Sequence, residues 1–247
     1  VLGVVIALAA NEAVQDRNWR NKVTDAEVRL QDDIAWAFLW SAEKSVGQPC
    51  VDAQLAAMSR KVLESGDTLQ PMPVVTSLDL QRVVYMPNRP WRFPVWGALL
   101  ADGTAPHFGT QRQALFGRIS DGLALSRESQ SEERRLGGRL LLMRDAIPLD
   151  PGVRTSLLAD INNMRSITAY EGLNARQRMR LIADAGLAPP EATVERFLNA
   201  SGKHWPGADF SGMPLFCKTQ GLPIGDWRDY WKQPAMNILY PDAGVAK

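Results

Sequence analysis

VLGVVIALAANEAVQDRNWRNKVTDAEVRLQDDI, running from Val1 to Ile34, decides how the rest of the chain is organised. Its opening run, Val1–Ala10, contains no charge, amide or hydroxyl. Ten residues of helix cover about 15 Å, half of a hydrocarbon core about 30 Å thick. We read Val1, Leu2, Gly3, Val4, Val5, Ile6, Ala7 and Leu8 as the exit half of a membrane helix whose beginning lies upstream. A buried core helix and the core of a signal peptide open in the same way. A signal peptide would change character after a small-residue cleavage site, whereas here the helical pattern continues through Asn11–Leu30. Gly3 and Ala7 form a small-xxx-small pair, which lets a neighbouring helix approach closely.

Beyond the apolar run, Trp19, Val23, Ala26, Leu30, Ile34 and Ala37 recur at intervals of three and four, one face of a helix. The spacing predicts a rod from the anchor to about Val46, lean at its near end and richly apolar at Trp36–Trp40. Gly47 and Pro49 are expected to end it. A second helix fits Asp52–Glu64, with Gly66 closing it. Five prolines (Pro71, Pro73, Pro87, Pro90, Pro94) exclude a long helix between Asp67 and Trp96 and leave room for short edge strands at Val74–Val75 and Arg82–Met86, or for ordered loop.

Pro94 suits the first turn of a short helix ending near Gly103, and Thr110 opens a long run with a polar stretch, Ser126–Arg135, in its middle. Asp150-Pro151 reads as an N-cap followed by proline at the first helical position. The helix it starts places Leu157, Leu158, Ile161, Met164 and Ile167 inside, and Asn174–Ala185 and Pro190–Ala200 read as two further helices. After Gly202 the chain is rich in glycine, proline and tryptophan, with helical period only at Asp226–Lys232. The expected architecture is mainly α: an irregular helical bundle on a membrane-anchored stalk helix, with a Pro/Gly/Trp-rich tail packed on it. Residues 1–10 form the end of the anchor and residues 11–247 one domain.

At 247 residues and 45% apolar content the chain can bury a substantial core. Its 28 Lys plus Arg nearly balance 27 Asp plus Glu, so no overall field gathers nucleic acid. Only two histidines, His107 and His204, are present, far apart, and no motif calls for a metal or cofactor. There is no phosphate-binding glycine loop and no Gly-x-Ser-x-Gly elbow. Asp32-Asp33 and Glu132-Glu133 are neighbours on helices, pointing about 100° apart toward expected solvated faces, so neither pair converges on a substrate. Asn199-Ala200-Ser201 matches a glycosylation sequon, which matters only in a eukaryotic secretory setting.

Two features remain. Trp91, Trp96, Trp205, Trp227, Tyr230 and Trp231 lie in Pro/Gly-rich segments and could form a surface for sugar rings or a partner, or could instead staple the tail to the helices. The second is Cys50 and Cys217, one after the first rod and one in the irregular tail. They are either unrelated thiols or, in an oxidising compartment, a disulfide tying the tail to the rod. Neither lies in a Cys-x-x-Cys spacing, which argues against a redox pair.

The segment Gly3–Ile34, with Gly3-Val4-Val5-Ile6-Ala7-Leu8 leading straight into a helix rich in arginine and acids, resembles a broad group of uncharacterised single-pass inner-membrane proteins of proteobacteria. The Gln48-Pro49-Cys50 turn is similar to members of that group, and the likeness covers about the first 65 residues. It implies a location and an architecture, a helical domain facing the periplasm, and no activity. The resulting expectation is an accessory or scaffold subunit without catalysis, whose partners are membrane lipid and other membrane-protein subunits. A sensory or ligand-binding domain and a glycan-binding or glycan-acting protein are the alternatives.

Overall fold

A computed structural model describes residues 2–77, 80–200 and 212–231. The chain is mainly helical, and one element dominates: helix α1 runs without interruption from Leu2 to Glu64. At 1.5 Å per residue it is about 95 Å long. Residues 11–22 of this helix are exposed except for the half-buried Trp19, whereas Ala26, Leu30, Ile34 and Ala37 are buried. The periodic face therefore enters the core about where its apolar spacing becomes regular. Residues 11–18 thus form an exposed rod, and from Val23 onward the helix forms the central column of the domain.

The expected stop at Gly47 and Pro49 is corrected, because Pro49 lies inside α1. Proline removes one i→i−4 hydrogen bond and crowds the preceding turn, at a cost of ~3 kcal/mol or more. Here the surrounding turns are enclosed: Ser41–Gly47, Cys50 and Val51 are all buried. The carbonyl of Val46 also accepts a hydrogen bond from Gly225 N at 2.9 Å. Gly47 serves close approach, since a Cβ there would lie 2.6 Å from Met213 Cγ.

After α1 come strand β1 (Thr68–Leu69), the hairpin β2 (Val75–Ser77) and β3 (Leu80–Arg82), and the short helix α2 (Pro94–Ala101). The hairpin pairs antiparallel with Val75 opposite Arg82, and β1 pairs with β4 (Ile147–Pro148). The second expected strand stops at Arg82 rather than Met86. Past it, the Gln54 side chain takes the place of a neighbouring strand: Tyr85 N donates to its Oε1 at 2.8 Å and its Nε2 donates to Tyr85 O at 3.1 Å.

Helix α3 (Thr110–Leu140) carries the polar stretch without a break. Helix α4 (Pro151–Asp184) starts as expected, with Asp150 Oδ1 accepting from Val153 N at 2.9 Å. It does not divide near Asn174. Gly172 is buried against α1, where a Cβ would come within 2.7 Å of Gln48 Oε1, so this glycine serves helix contact rather than a turn.

Helix α5 (Glu191–Leu198) follows, then α6 (Met213–Thr219) and α7 (Trp227–Trp231). The tail around Cys217 is thus helical rather than irregular, with Pro214 in the first turn of α6. Helix α1 packs chiefly on α4, and α4 packs on α3, making the three long helices the frame.

The core has two apolar clusters. One gathers Leu30, Ile34, Phe38, Trp96, Phe116, Ile119 and Ile182; the other gathers Leu55, Met58, Val62, Leu136, Leu140, Ile161 and Met164. Among the described residues no helix is long and apolar enough to cross a membrane. The anchor side chains at Val1, Leu2, Gly3, Val4, Val5, Ile6, Ala7 and Leu8 lie outside what is described, as do Trp205 and His204.

Candidate functional site

Between the two apolar clusters lies a belt of buried polar side chains drawn from all three long helices. Helix α1 contributes Ser41, Glu43, Lys44 and Ser45; α3 contributes Ser126, Gln130 and Glu133; α4 contributes Thr168, Glu171 and Arg178. Glu133 is only 1% exposed, which corrects the expectation that Glu132-Glu133 faces solvent. The period explains it: Ser126, Gln130 and Glu133 follow Leu123 and precede Leu136 on the buried face of α3, at intervals of three and four.

The belt is paired across helices. Lys44 meets Glu133 in a buried ion pair. Glu43 takes Arg89 in a two-point grip, Nε to Oε2 and Nη2 to Oε1, both 2.6 Å, and its Oε1 also accepts from Met213 N at 3.1 Å. One carboxylate on α1 thereby fixes both the 82–92 segment and the start of α6. Arg178 donates to Ser41 Oγ and to Gly122 O, each at 2.9 Å, and also to Ser126 Oγ. Ser126 in turn donates to Glu171 Oε1 at 2.6 Å. Burial pushes the Arg178 guanidinium down to about 10, with the nearby Glu171 charge acting the other way. Removing two charges from water costs several kcal/mol per ion, so such pairs persist only where geometry and hydrogen bonds are good.

Cys50 and Cys217 are joined by a disulfide, Cα to Cα 6.0 Å, closing 167 residues of separation. It clamps α6 onto α1 beside the belt. Tyr85 and Phe216 pack at a tilt, with ring centroids 4.2 Å apart.

The aromatic residues divide. Trp91, Trp96 and Trp227 are 1%, 4% and 3% exposed, so they are core residues and offer no face to a sugar ring or partner. Tyr230 and Trp231 belong to α7, and their side chains lie outside what is described. Trp40 and Trp91 meet edge to face at 6.0 Å, and Trp227 meets Phe38 at 6.1 Å. Of these three rings, Trp227 pins the tail to α1 through Phe38, while Trp91 and Trp96 fix the 91–101 region in the core. His107, exposed, stacks on Trp19 with centroids 3.7 Å apart, and Lys22 Nζ lies 4.4 Å from the same Trp ring, bracing the rod where it leaves the domain.

No local pattern in the chain foreshadows the surface above the belt. The segment Arg89–Trp91 is clamped on α3 by one side chain: Gln130 Oε1 accepts from Arg89 N (2.8 Å) and from Trp91 Nε1 (3.0 Å), and its Nε2 donates to Arg89 O (2.9 Å). Trp91 is held at φ 44°, a left-handed backbone unusual for a bulky residue, and Arg127 Nη1 donates to its carbonyl at 2.7 Å.

Beside this clamp a cavity of about 350 Å³ opens between the 81–88 segment and α3, with Val83, Val84, Met86 and Leu141 as apolar walls and Gly137 and Gly138 on its helix side. A second recess of about 340 Å³ continues from it, lined by Arg89, Arg92, Arg127 and Arg134. Asn88, Gln130 and Arg134 line both. No signal within a single segment could have revealed this, because its two walls are about 45 residues apart in sequence.

Among the described residues no cluster of histidine, cysteine and carboxylate suited to a metal ion occurs. No protein-family model, no curated protein and no solved structure matches this chain.

Proposed function

We propose that the protein is an accessory or scaffold subunit of an inner-membrane assembly, without catalysis of its own, anchored through Val1–Ala10 with its helical domain in the periplasm. The observation that carries this reading is the continuity of α1. The same helix that begins in the apolar run becomes the central column of the domain, with no flexible linker between. A rigid rod of that kind sets a fixed height and orientation for the domain above a bilayer, which a scaffold needs.

Two further features support it. A buried disulfide between α1 and α6 suits an oxidising compartment. The resemblance of the first 65 residues to single-pass inner-membrane proteins points to the same side of the membrane.

Purification of the natural full-length protein from its membranes in mild detergent tests the reading. The expected result is an assembly well above the 27.3 kDa of this chain, containing other inner-membrane subunits in fixed ratio. A lone monomer under every gentle condition contradicts it.

A further inference from the structure

We propose that the two-part groove beside α3 is a binding site for a small amphiphilic anion, an oxyanion head carrying a short apolar body. The inference rests on the folded domain alone and is independent of the anchor.

The charge balance carries the first half. Of the ionised groups lining the two recesses, Arg89 is matched by Glu43 and Glu133 by Lys44. Arg82, Arg92, Arg127 and Arg134 remain, and among the described residues none of them has an ion-pair partner. Arg82 and Arg127 each donate to a backbone carbonyl, Met86 O and Trp91 O, and among the described residues these four guanidinium groups have no carboxylate partner, on a chain whose overall charge is +1. Such a concentration is electrostatically unfavourable for the free protein and complementary to an anion. Guanidinium forks match carboxylate and phosphate oxygens in two-point hydrogen bonds, which is why arginine serves where such groups are recognised.

The second half is shape. The cavity adjoining the arginines is walled by Val83, Val84, Met86 and Leu141, and its volume falls in the range of small-ligand sites, ~300–1,000 Å³. Gly138 leaves it open, since a Cβ there would meet nothing within 4 Å. Arg134 borders both recesses, so an anion held by it would lay its apolar part along the glycine face. The floor is rigid: Gln130 clamps Arg89–Trp91, and the strained Trp91 backbone sets the rim from which Arg92 departs. Conformational strain of this kind collects at ligand sites.

The test is calorimetric titration of the full chain with hexyl phosphate, hexanoate, inorganic phosphate and hexyltrimethylammonium. The structure assigns at least one of the two amphiphilic anions a sub-millimolar Kd, about tenfold or more tighter than inorganic phosphate, and the cation no measurable binding. Preference between the phosphate and carboxylate heads identifies which source of oxyanion the site takes. Arg134→Glu is expected to weaken the preferred anion about tenfold or more, and Gly138→Leu to weaken it similarly while leaving inorganic phosphate unchanged. Circular dichroism and thermal melts establish that both variants are folded, as expected for two exposed positions. Equal binding of anion and cation, no advantage of the hexyl chain, or wild-type affinity in Arg134→Glu would each overturn the proposal.

Discussion

Lys44 on α1 and Glu133 on α3 meet as an ion pair whose side chains are 5% and 2% exposed, 89 residues apart in sequence. With the Glu43–Arg89 grip and the Ser41–Arg178–Ser126–Glu171 chain, it ties α1 to α3, to α4 and to the 82–92 segment, and α3 to α4. Sliding α1 by a single turn, 5.4 Å, would break its bonds to Glu133, Arg89 and Arg178 together. The belt therefore fixes register, while the apolar clusters on either side supply the burial energy.

Removing one partner strands the other. Lys44→Ala is expected to lower the unfolding free energy by ~3–5 kcal/mol, since it leaves the Glu133 carboxylate buried and uncompensated. The double change Lys44→Met with Glu133→Leu should recover most of that loss. Urea unfolding of the single and double variants measures both.

Gln130 holds three polar groups of the Arg89–Trp91 segment, two of them backbone. Gln130→Leu leaves these without partners, and the expected loss is ~2–4 kcal/mol, because each buried unsatisfied group costs about 1–3 kcal/mol and part is recovered by solvent. A parallel fall in anion affinity should accompany it, because the same side chain lines both recesses. Denaturation and calorimetry on one preparation separate the two effects.

How much of this was legible beforehand differs by element. The face of Ala26, Leu30, Ile34 and Ala37 is buried as its spacing foretold, the N-cap at Asp150 is in place, and the cysteine pair is closed. These are local patterns, or in the last case the two cysteines present. The break expected at Pro49 is absent because tertiary enclosure outweighs a local preference. Glu133 is buried because its partner comes from another helix, and adjacent carboxylates say nothing of distant lysines. Within the polar stretch Ser126–Arg135 the helical period of the buried face is intact and only its chemistry changes. For α6, the Gly212-Met213-Pro214 sequence was a readable start signal, proline just inside a helix.

Cys50 and Cys217 close a loop with a sequence separation of 167 residues. Reduction, or Cys50→Ala with Cys217→Ala, should lower stability by up to ~5 kcal/mol, the limit the chain-entropy model sets for a loop of this length. The lesion should begin at α6, which the bridge holds against α1. Melting with and without dithiothreitol gives the size, and limited proteolysis shows whether cleavage first appears near Lys218.

Asp33 accepts from Val95 N at 3.0 Å at the start of α2. Burial raises its carboxyl above the ordinary 3.8, the Val95 hydrogen bond opposes this, and the Asp32 charge adds to the rise. The folded state thus holds this proton more tightly than the unfolded chain. The site's contribution to stability falls as pH rises from 3.8 through the raised folded value, and it returns on acidification. Asp33→Asn keeps an acceptor for Val95 and should be at least as stable as the parent at pH ~7, with its advantage shrinking toward pH ~4. Unfolding curves across that window check the sign.

In the reading we propose, α1 carries the domain out of a bilayer into an oxidising space. Spheroplasts of the native host, treated with external protease and then extracted with alkaline carbonate, test it in one experiment. The intact protein is expected to resist carbonate extraction, and its domain is expected to be lost to protease without cell lysis. Recovery of the chain in the soluble fraction, or full protection until the cells are broken, would contradict it.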